Sequence, residues 1–378
     1  MQPRYEVASV LNAHWPAVQQ STKLNSWQLR TLHAVRRCRT AALGAHVDGC
    51  TCCGHLRISY NSCRNRHCPK CQSNQREKWI QAREQELLPV PYFHVVFTIP
   101  EALNTLCLYK PGEMYNILFE TAWSVINRFA NDAKWLGAYT GMIAILHTWG
   151  QTLSLHPHLH CIVPGGGLTK TGKWKTARTD GKYLFSVKAM SKVFRGKFMA
   201  AIKERLPGEL SQQSINELYK KDWVVFAKRP FNGPQSVIEY LGRYTHKIAI
   251  SNHRIKNIED GKVTFSYKDY RAAAVTKEMT LGALEFIRRF ALHILPKGFV
   301  RIRHYGIVSS TSKAACAVVI KEQLPPVTPI QNHNQKIYDS RQCPCCKKQT
   351  MQTLLRFNRR GPPADWKLMA KNILECIT

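Results

Sequence analysis

Cysteine spacing is the sequence feature that most constrains the fold of this chain. Cys50 and Cys53 form one Cys-x2-Cys pair, and fourteen residues separate it from a second pair, Cys68 and Cys71. Two tight turns at this spacing present four thiolates to one tetrahedral zinc ion. We therefore predict a zinc-binding domain over residues 46–85, held by one structural Zn²⁺.

Additional ligands leave the number of zinc ions open. Cys63 and His67 form a Cys-x3-His pair that, with two other ligands, would allow a second ion. Cys343 and Cys346 form a half-site in the tail, for which the sequence offers only His333, Cys345 and Cys376 as partners. The chain has 14 cysteines, and because nine of them crowd into two short segments, metal binding is favoured over disulfides.

The charge balance predicts a polyanionic partner. The 378 residues include 55 lysines and arginines against 24 acidic residues, and the resulting net charge of +31 would repel itself without neutralisation. Nucleic acid is the favoured partner, because binding to a membrane surface would gather this charge on amphipathic helices. We find neither a signal peptide nor an apolar run long enough to span a bilayer, so we expect a cytoplasmic protein.

The hydrophobic pattern divides the rest of the chain into regions. Residues 1–45 carry apolar and basic residues at near-helical spacing, which predicts a basic helical region. Over 90–250, β-rich runs alternate with helix-like segments and predict an α+β domain. Residues 251–325 combine a hairpin, marked by an Asp-Gly turn, with an amphipathic basic helix, and we expect a DNA-binding extension there. The tail, 326–378, opens with prolines.

The run HPHLH at 156–160 predicts a metal site on a β-strand. Successive side chains of a strand alternate between its two faces, so His158 and His160 project to one side while Leu159 faces the opposite core. Two imidazoles placed two residues apart on one face can share one divalent ion. The alternative interpretation is that these are ordinary histidines of a β-sheet and bind no metal.

The third ligand is open among three residues. His156 lies on the same face, but about 13 Å of strand separates it from the far end of the run, which is too long for one ion. The preceding run, 142–149, can fold back beside the histidine strand after a Gly-Gln break and bring His147 or Gln151 alongside. His147 is the first choice.

A pair of tyrosines offers a nucleophile. Tyr240 and Tyr244, in the segment 237–251, lie four residues apart and therefore on one face of a helix. A phenol with a pKa of about 10 is a poor nucleophile at neutral pH, but Arg243, Lys247 or a metal-bound phosphate would make its attack feasible. The product of that attack on DNA would be a 5′-phosphotyrosine.

The order of these motifs resembles a known family. The strings HTWGQ, HPHLH and VPGGGL, followed by YLGRYTHKIAISN and RRFALHILPKGFVRIRHYG, resemble the transposases of the family named for insertion sequence 91 and its common-region relatives. The upstream NSCRNRHCPKCQ segment is similar to the zinc-binding part of that family, and the matches span about 30–310. The resemblance implies a His-hydrophobe-His (HUH) single-strand endonuclease domain with a central antiparallel β-sheet.

The resemblance also implies roles for particular residues. His158 and His160 would hold a catalytic Mg²⁺ or Mn²⁺, and Tyr244 would be the nucleophile, with Tyr240 accessory or a second nucleophile. The substrate would be single-stranded DNA at element ends and at a target site, in a bacterial, nucleoid-associated setting. Because the chain has no Walker sequence, a host helicase and replication proteins are the expected partners.

Basic residues near these motifs are candidate DNA contacts. Residues 299–305 alternate apolar and basic side chains, and such a strand would turn two arginines towards the phosphate backbone. A solvated edge strand is the equally weighted alternative. The candidate DNA-binding residues are Arg64, Arg66, Arg243, Lys247, Arg301 and Arg303.

Two other functions fit the same residues. A plasmid rolling-circle replication initiator or relaxase would use the same chemistry on a different DNA site. A non-catalytic zinc-ribbon DNA-binding protein would use the histidines as a further structural metal site. Formation of a covalent adduct with single-stranded DNA separates the enzymes from the binding protein.

Overall fold

The computed structural model describes residues 3–72, 87–177, 184–227, 237, 248–326 and 339–377. Within these ranges, helices α1 to α10 are Val7–Ala13, Trp15–Gln19, Ser26–Arg36, Asn104–Tyr109, Pro111–Asn131, Val187–Arg205, Gln212–Lys220, Ala283–Ala291, Lys313–Lys321 and Trp366–Ile377. Strands β1 to β13 are Ala45–Cys50, Leu56–Tyr60, Tyr92–Thr98, Gly141–Trp149, Leu155–Pro164, Gly166–Leu168, Trp174–Thr176, Val225–Ala227, Ile255–Glu259, Lys262–Asp269, Val275–Gly282, Ile302–Gly306 and Met351–Phe357.

A five-stranded sheet forms the centre of the molecule. Its strand order is β12-β4-β5-β3-β8, and each neighbouring pair is antiparallel. The run 142–149 lies within β4 and folds back onto the histidine strand β5, as its turn residues indicate. The prediction of an α+β fold with a central antiparallel sheet is confirmed.

The two faces of this sheet have different roles. Because strand side chains alternate, Phe97 and Leu159 point to one face, where they join the large core formed with α5 and α6. Phe97 packs there against Phe194 of α6, with ring centroids 5.0 Å apart. The opposite face carries a smaller apolar cluster that includes Ile145 and Ile162, and the histidines of β4 and β5 extend this face along the same strands.

The predicted hairpin and basic helix form a separate small sheet with its own helix. Strands β9, β10 and β11 are antiparallel, and the turn between β9 and β10 has Asp260 and Gly261 at positive φ, 47° and 66°. Two consecutive positive φ values define the turn type that fits the twist of a two-residue hairpin. Phe286 of α8 packs on Phe265 of β10, with ring centroids 5.8 Å apart.

The N-terminal region and the tail share one sheet. Helix α3 begins at a capping box in which Asn25 and Gln28 bond each other's backbone. After it, β1 pairs with β2 and, on its other edge, with β13 of the tail, where Val47 lies opposite Leu355. The tail strand therefore completes the sheet of the cysteine segment, because an isolated two-stranded hairpin is marginally stable.

Candidate functional site

Three histidines of the central sheet converge on one point, and we call them the histidine triad: His147, His158 and His160. His147 on β4 lies directly opposite His158 on β5 in the strand register. One ring nitrogen from each of the three lies within 4.8 Å of the others. His147 and His160 are buried, whereas His158 is half-buried and is the most accessible of the three. These distances suit three ligands of one metal ion.

The hydrogen bonds of His158 leave one of its nitrogens ready for a metal. Its Nδ1–H donates to the carbonyl oxygen of His156 at 2.6 Å, which leaves the lone pair of Nε2 available. Burial lowers the pKa of His158 to about 4. The imidazole is therefore neutral at physiological pH, as a metal ligand has to be.

A fourth histidine supports the triad from behind. His94 on β3 is buried, and its Nε2 lies 2.9 Å from Nδ1 of His160, with the two rings stacked at 5.2 Å. With Nδ1–H of His160 as the donor, Nε2 of His160 points to the triad. Sequence reasoning missed His94, although it lies on the alternate positions of β3 that face the same side as Tyr92.

An aromatic and hydrogen-bonded layer holds the β4 side of the triad. His147 stacks on Trp149, with ring centroids 4.6 Å apart and planes 20° apart. The buried His293 accepts from the Thr148 hydroxyl at Nδ1 and donates from Nε2 to the carbonyl of Leu153, each at 3.2 Å. These contacts fasten the turn between β4 and β5, and burial lowers the pKa of His293 to about 4.

The lowered pKa of His293 predicts a pH-dependent stability. The unfolded chain protonates this ring below about pH 6.5, whereas the folded protein resists protonation down to about pH 4, so its contribution is present above 6.5 and is lost as pH falls towards 4. Between pH 7 and pH 5, the free energy of unfolding of His293→Gln should therefore fall by about 2 kcal/mol less than that of the parent protein. Denaturant unfolding at both pH values measures this.

The control is the exposed His253, whose replacement by glutamine should leave the pH dependence of unfolding as it is in the parent protein. Equal pH dependence in His293→Gln and in the parent would contradict the assignment.

The cysteines form two clusters rather than one. The prediction of one ion held by both Cys-x2-Cys pairs is wrong. The pair Cys50 and Cys53 lies at the end of β1, while the pair Cys68 and Cys71 packs against the N-terminal helices. Within each cluster the four sulfurs lie within 4.8 Å of one another. We name them the inner cluster, Cys38, Cys63, Cys68 and Cys71, and the tail cluster, Cys50, Cys53, Cys343 and Cys346.

The inner cluster is part of a hydrophobic core. Cys38, just after α3, and Cys68 are fully buried among residues of α1, α3 and α8. The Sγ atom of Cys71 lies 3.5 Å from that of Cys38 and 3.6 Å from that of Cys63. A tetrahedron with zinc–sulfur bonds of about 2.3 Å has edges of about 3.8 Å, so the spacing fits Zn²⁺.

His67 does not join Cys63 in a zinc site. It is buried beside Arg301 and His293, which line a small cavity with it, and its Nε2 accepts from Nε of Arg66 at 3.3 Å. Burial lowers the pKa of His67 to about 3. The predicted pair of Cys63 and His67 does not form. The inner cluster consists of cysteines alone, and Cys38 takes the position that was expected for His67.

Two of the predicted DNA contacts are used inside the protein. Arg66 donates to the carbonyls of Phe299 and Pro296. Arg303 donates to Oδ1 of Asn116 at 2.5 Å and stacks over the ring of Phe119 at 4.3 Å. These contacts differ from the phosphate-facing strand that the alternating pattern suggested.

The other predicted residues lie as follows. Burial, with a contribution from Arg66, lowers the pKa of Arg301 to about 10. Arg64 is exposed on its loop. Gln151 is turned away from the triad, since its Oε1 accepts from the backbone amide of Lys268 at 3.4 Å. Outside the described residues lie Tyr240, Arg243, Tyr244 and Lys247.

Two family descriptions match the chain. The family described as "Putative transposase" matches residues 141–315, which contain the histidine triad. The family described as "Transposase zinc-binding domain" matches residues 10–99, which contain the inner cluster. The two matches follow each other along the chain in the same order as the cysteine segment and the histidine-bearing sheet.

Two relatives agree with these matches. "Putative transposase y4qJ" of Sinorhizobium fredii is 42% identical over 392 residues, which cover 96% of this chain and 98% of the relative. The transposase for insertion sequence element IS801 of Pseudomonas savastanoi pv. phaseolicola is 28% identical over 340 residues, which cover 84% of this chain and 79% of the relative. No solved structure matches.

Fold, metal clusters and relatives together define a zinc-binding transposase, an enzyme that acts on DNA. The chain belongs to the transposase family named for insertion sequence 91. Among the described residues, each helix is too short or too polar to cross a membrane.

Proposed function

We propose that this transposase nicks and joins single-stranded DNA at the ends of its element through a 5′-phosphotyrosine intermediate, and so drives rolling-circle-like transposition. The observation that carries the proposal is the histidine triad, whose nitrogens lie within 4.8 Å of one another on one face of the central sheet. The family membership and the net charge of +31 agree with single-stranded DNA as the substrate.

The triad suits a catalytic Mg²⁺ or Mn²⁺. Three imidazoles leave coordination positions for phosphate oxygens, and a bound ion would polarise the scissile phosphate and orient it. The rings of the triad are held in place by the His156 carbonyl, by His94 and by the Trp149 ring. Among the residues that the structure describes, no carboxylate joins the triad, so Mn²⁺, which accepts imidazole readily, should support the reaction better than Mg²⁺.

The position of Val237 supports Tyr244 as the nucleophile. Val237 is fully buried in the apolar cluster that contains Ile145 and Ile162, on the sheet face that also bears the triad. On β4, Ile145 lies only two residues from His147. Seven positions span about 10 Å in the helix predicted for this segment and at most about 25 Å in an extended chain, so a tyrosine seven positions after Val237 can reach a phosphate at the triad.

The proposed reaction balances at one phosphorus atom. The phenol oxygen of Tyr244 forms a bond to phosphorus, the bond from phosphorus to the 3′ oxygen breaks, and the phenol proton leaves as the 3′-OH is released. A host polymerase extends that 3′ end while a host helicase unwinds the displaced strand on bacterial nucleoid DNA. Tyr240 is placed as an accessory residue or as the nucleophile for a second strand.

Tyr244→Phe should abolish the covalent intermediate. The probe is single-stranded DNA from the flanks of the element, labelled at its 3′ end because the enzyme would retain the 5′ phosphate of the downstream fragment. With Mn²⁺ or Mg²⁺, the parent enzyme should give a labelled adduct on a denaturing gel, and the variant at least about a hundredfold less. Tyr109→Phe, at a highly exposed tyrosine, is the matched control and should retain the adduct.

Other outcomes would redirect the assignment. An adduct that survives Tyr244→Phe and disappears in Tyr240→Phe would make Tyr240 the nucleophile. An adduct formed only with plasmid origin DNA would favour a replication initiator or relaxase. A parent protein that binds the probe without any adduct would be a non-catalytic zinc protein.

A further inference from the structure

We propose that the tail cluster is a second structural zinc site, which fastens residues 339–377 to the cysteine segment near the N-terminus. The two family descriptions end at residues 99 and 315, so both tail cysteines lie beyond the matched ranges. The sulfurs of Cys53 and Cys343 come together although 290 positions separate them along the chain. The site goes beyond the DNA chemistry proposed above and does not depend on it.

The two halves of the tail cluster have the same local geometry. In the first half, the amide of Gly54 donates to the carbonyl of Cys50, and in the second the amide of Lys347 donates to the carbonyl of Cys343, each at 3.0 Å. Gly54 and Lys347 both have positive φ, 69° and 64°. A lysine in this left-handed conformation costs about 1 kcal/mol, and such strain persists where a functional arrangement requires it.

The sulfur positions fit zinc rather than disulfides. The Sγ atoms of Cys50 and Cys346 lie 3.6 Å apart, and those of Cys53 and Cys343 lie 3.7 Å apart. A disulfide bond is about 2.05 Å long. A zinc tetrahedron with bonds of about 2.3 Å has sulfur–sulfur edges of about 3.8 Å, close to the observed distances.

Neighbouring groups stabilise thiolates at this site. The hydroxyl of Thr350 lies 3.0 Å from Sγ of Cys50, within hydrogen-bonding distance of the sulfur. The amide of Cys345 donates to Sγ of Cys343 at 3.4 Å. Donors aimed at cysteine sulfur favour the charged form, which is the form that binds zinc.

The tail needs such a site because its own core is small. Of the 39 residues 339–377, four are buried: Cys343, Met351, Ala370 and Leu374. Its other attachments include the β1–β13 pairing, the Thr353 hydroxyl, which donates to Asp48 at 2.8 Å, and Arg57, which donates to the carbonyl of Ser340 at 3.1 Å. Segments with so little apolar burial usually depend on a metal or a disulfide for a stable fold.

Adjacent cysteines give a matched control. Cys52 and Cys345 lie within the same two turns, are exposed, and do not belong to the tail cluster. Cys343→Ser with Cys346→Ser should remove one equivalent of zinc per chain, whereas Cys52→Ser with Cys345→Ser should remove none. Metal analysis of the purified full chain measures zinc directly. Exchange into Co²⁺ counts thiolate sites separately from any histidine site, since only thiolates give the sulfur-to-cobalt charge-transfer band.

The cobalt band of the parent protein should correspond to two four-thiolate sites, and the Cys343/Cys346 double variant should have about half of it. Hydrogen exchange separates loss of the site from general unfolding: amides of β1 and β13 should lose protection while those of β4 and β5 keep theirs. A parent protein with a single thiolate-bound ion would overturn the proposal. Equal metal content in the two double variants, with the central sheet protected in both, would overturn it as well.

Discussion

Replacing His160 with alanine is expected to slow metal-dependent cleavage of single-stranded DNA by roughly a thousandfold or more. His160 is buried in the triad, and its loss would remove a ligand of the proposed catalytic ion, an effect worth about 4 kcal/mol at roughly 1.4 kcal/mol per tenfold. Single-turnover cleavage of a labelled oligonucleotide at saturating Mn²⁺, together with Mn²⁺ titration of each variant, measures the loss in rate and in metal affinity.

The other histidines should give a graded series. His147→Ala should resemble His160→Ala, while His94→Ala, which removes only the group behind a ligand, should cost about 10- to 100-fold. His156→Ala should cost far less than His147→Ala, because its exposed side chain lies outside the triad. If His156→Ala were as damaging as His147→Ala, the third ligand would have to be reassigned. If His160→Ala cleaved at the parent rate, the metal site itself would be wrong.

The histidine-bearing sheet was within reach of sequence reasoning because its contacts are local. The alternation of side chains along a strand places His158 and His160 on one face, and a break of a few residues brings β4 back beside β5. Only the turn geometry and the strand period are needed for that step. His94, on a strand 66 positions away from His160, lies beyond such local rules.

The cysteine clusters could not be assigned from spacing. Two pairs separated by fourteen residues suggested one ion, but spacing along the chain says nothing about a partner 290 positions away. The tail half-site at Cys343 and Cys346 indicated that a second half was missing, without saying which residues supply it. The pairing of β13 with β1 decides this, and strand pairing at such separation is a property of the whole fold.

The contacts of the arginines in 299–305 could not be predicted from the sequence either. An alternating pattern over 299–305 predicts a strand correctly, and β12 covers most of it. It does not predict which face is covered by a helix, and α5 covers the face of Arg303 with Asn116 and Phe119. A basic side chain on a strand therefore indicated DNA contact, while its contacts in the fold are internal.

Cys38→Ala is expected to remove one zinc and to lower the free energy of unfolding by about 5 kcal/mol or more. Structural zinc contributes on the order of 10 kcal/mol to the folding of small zinc domains, and an incomplete ligand set forfeits much of it. Cys107→Ala is the matched control, because Cys107 is equally buried but lies in the large core outside both clusters. That control should keep all of its zinc and lose only about 1 kcal/mol.

The loss of stability in Cys38→Ala should also weaken metal binding at the histidine triad. Arg66, which lies between two ligands of the inner cluster in sequence, donates to the carbonyls of Pro296 and Phe299, just before β12. In the same core, Leu153 packs with α8 and accepts from His293, which holds the turn beside the triad. Zinc analysis, denaturant unfolding and Mn²⁺ titration of the two variants test this link. A Cys38→Ala protein that kept its zinc, or lost it with unaltered stability and Mn²⁺ affinity, would show that the inner cluster does not support the site.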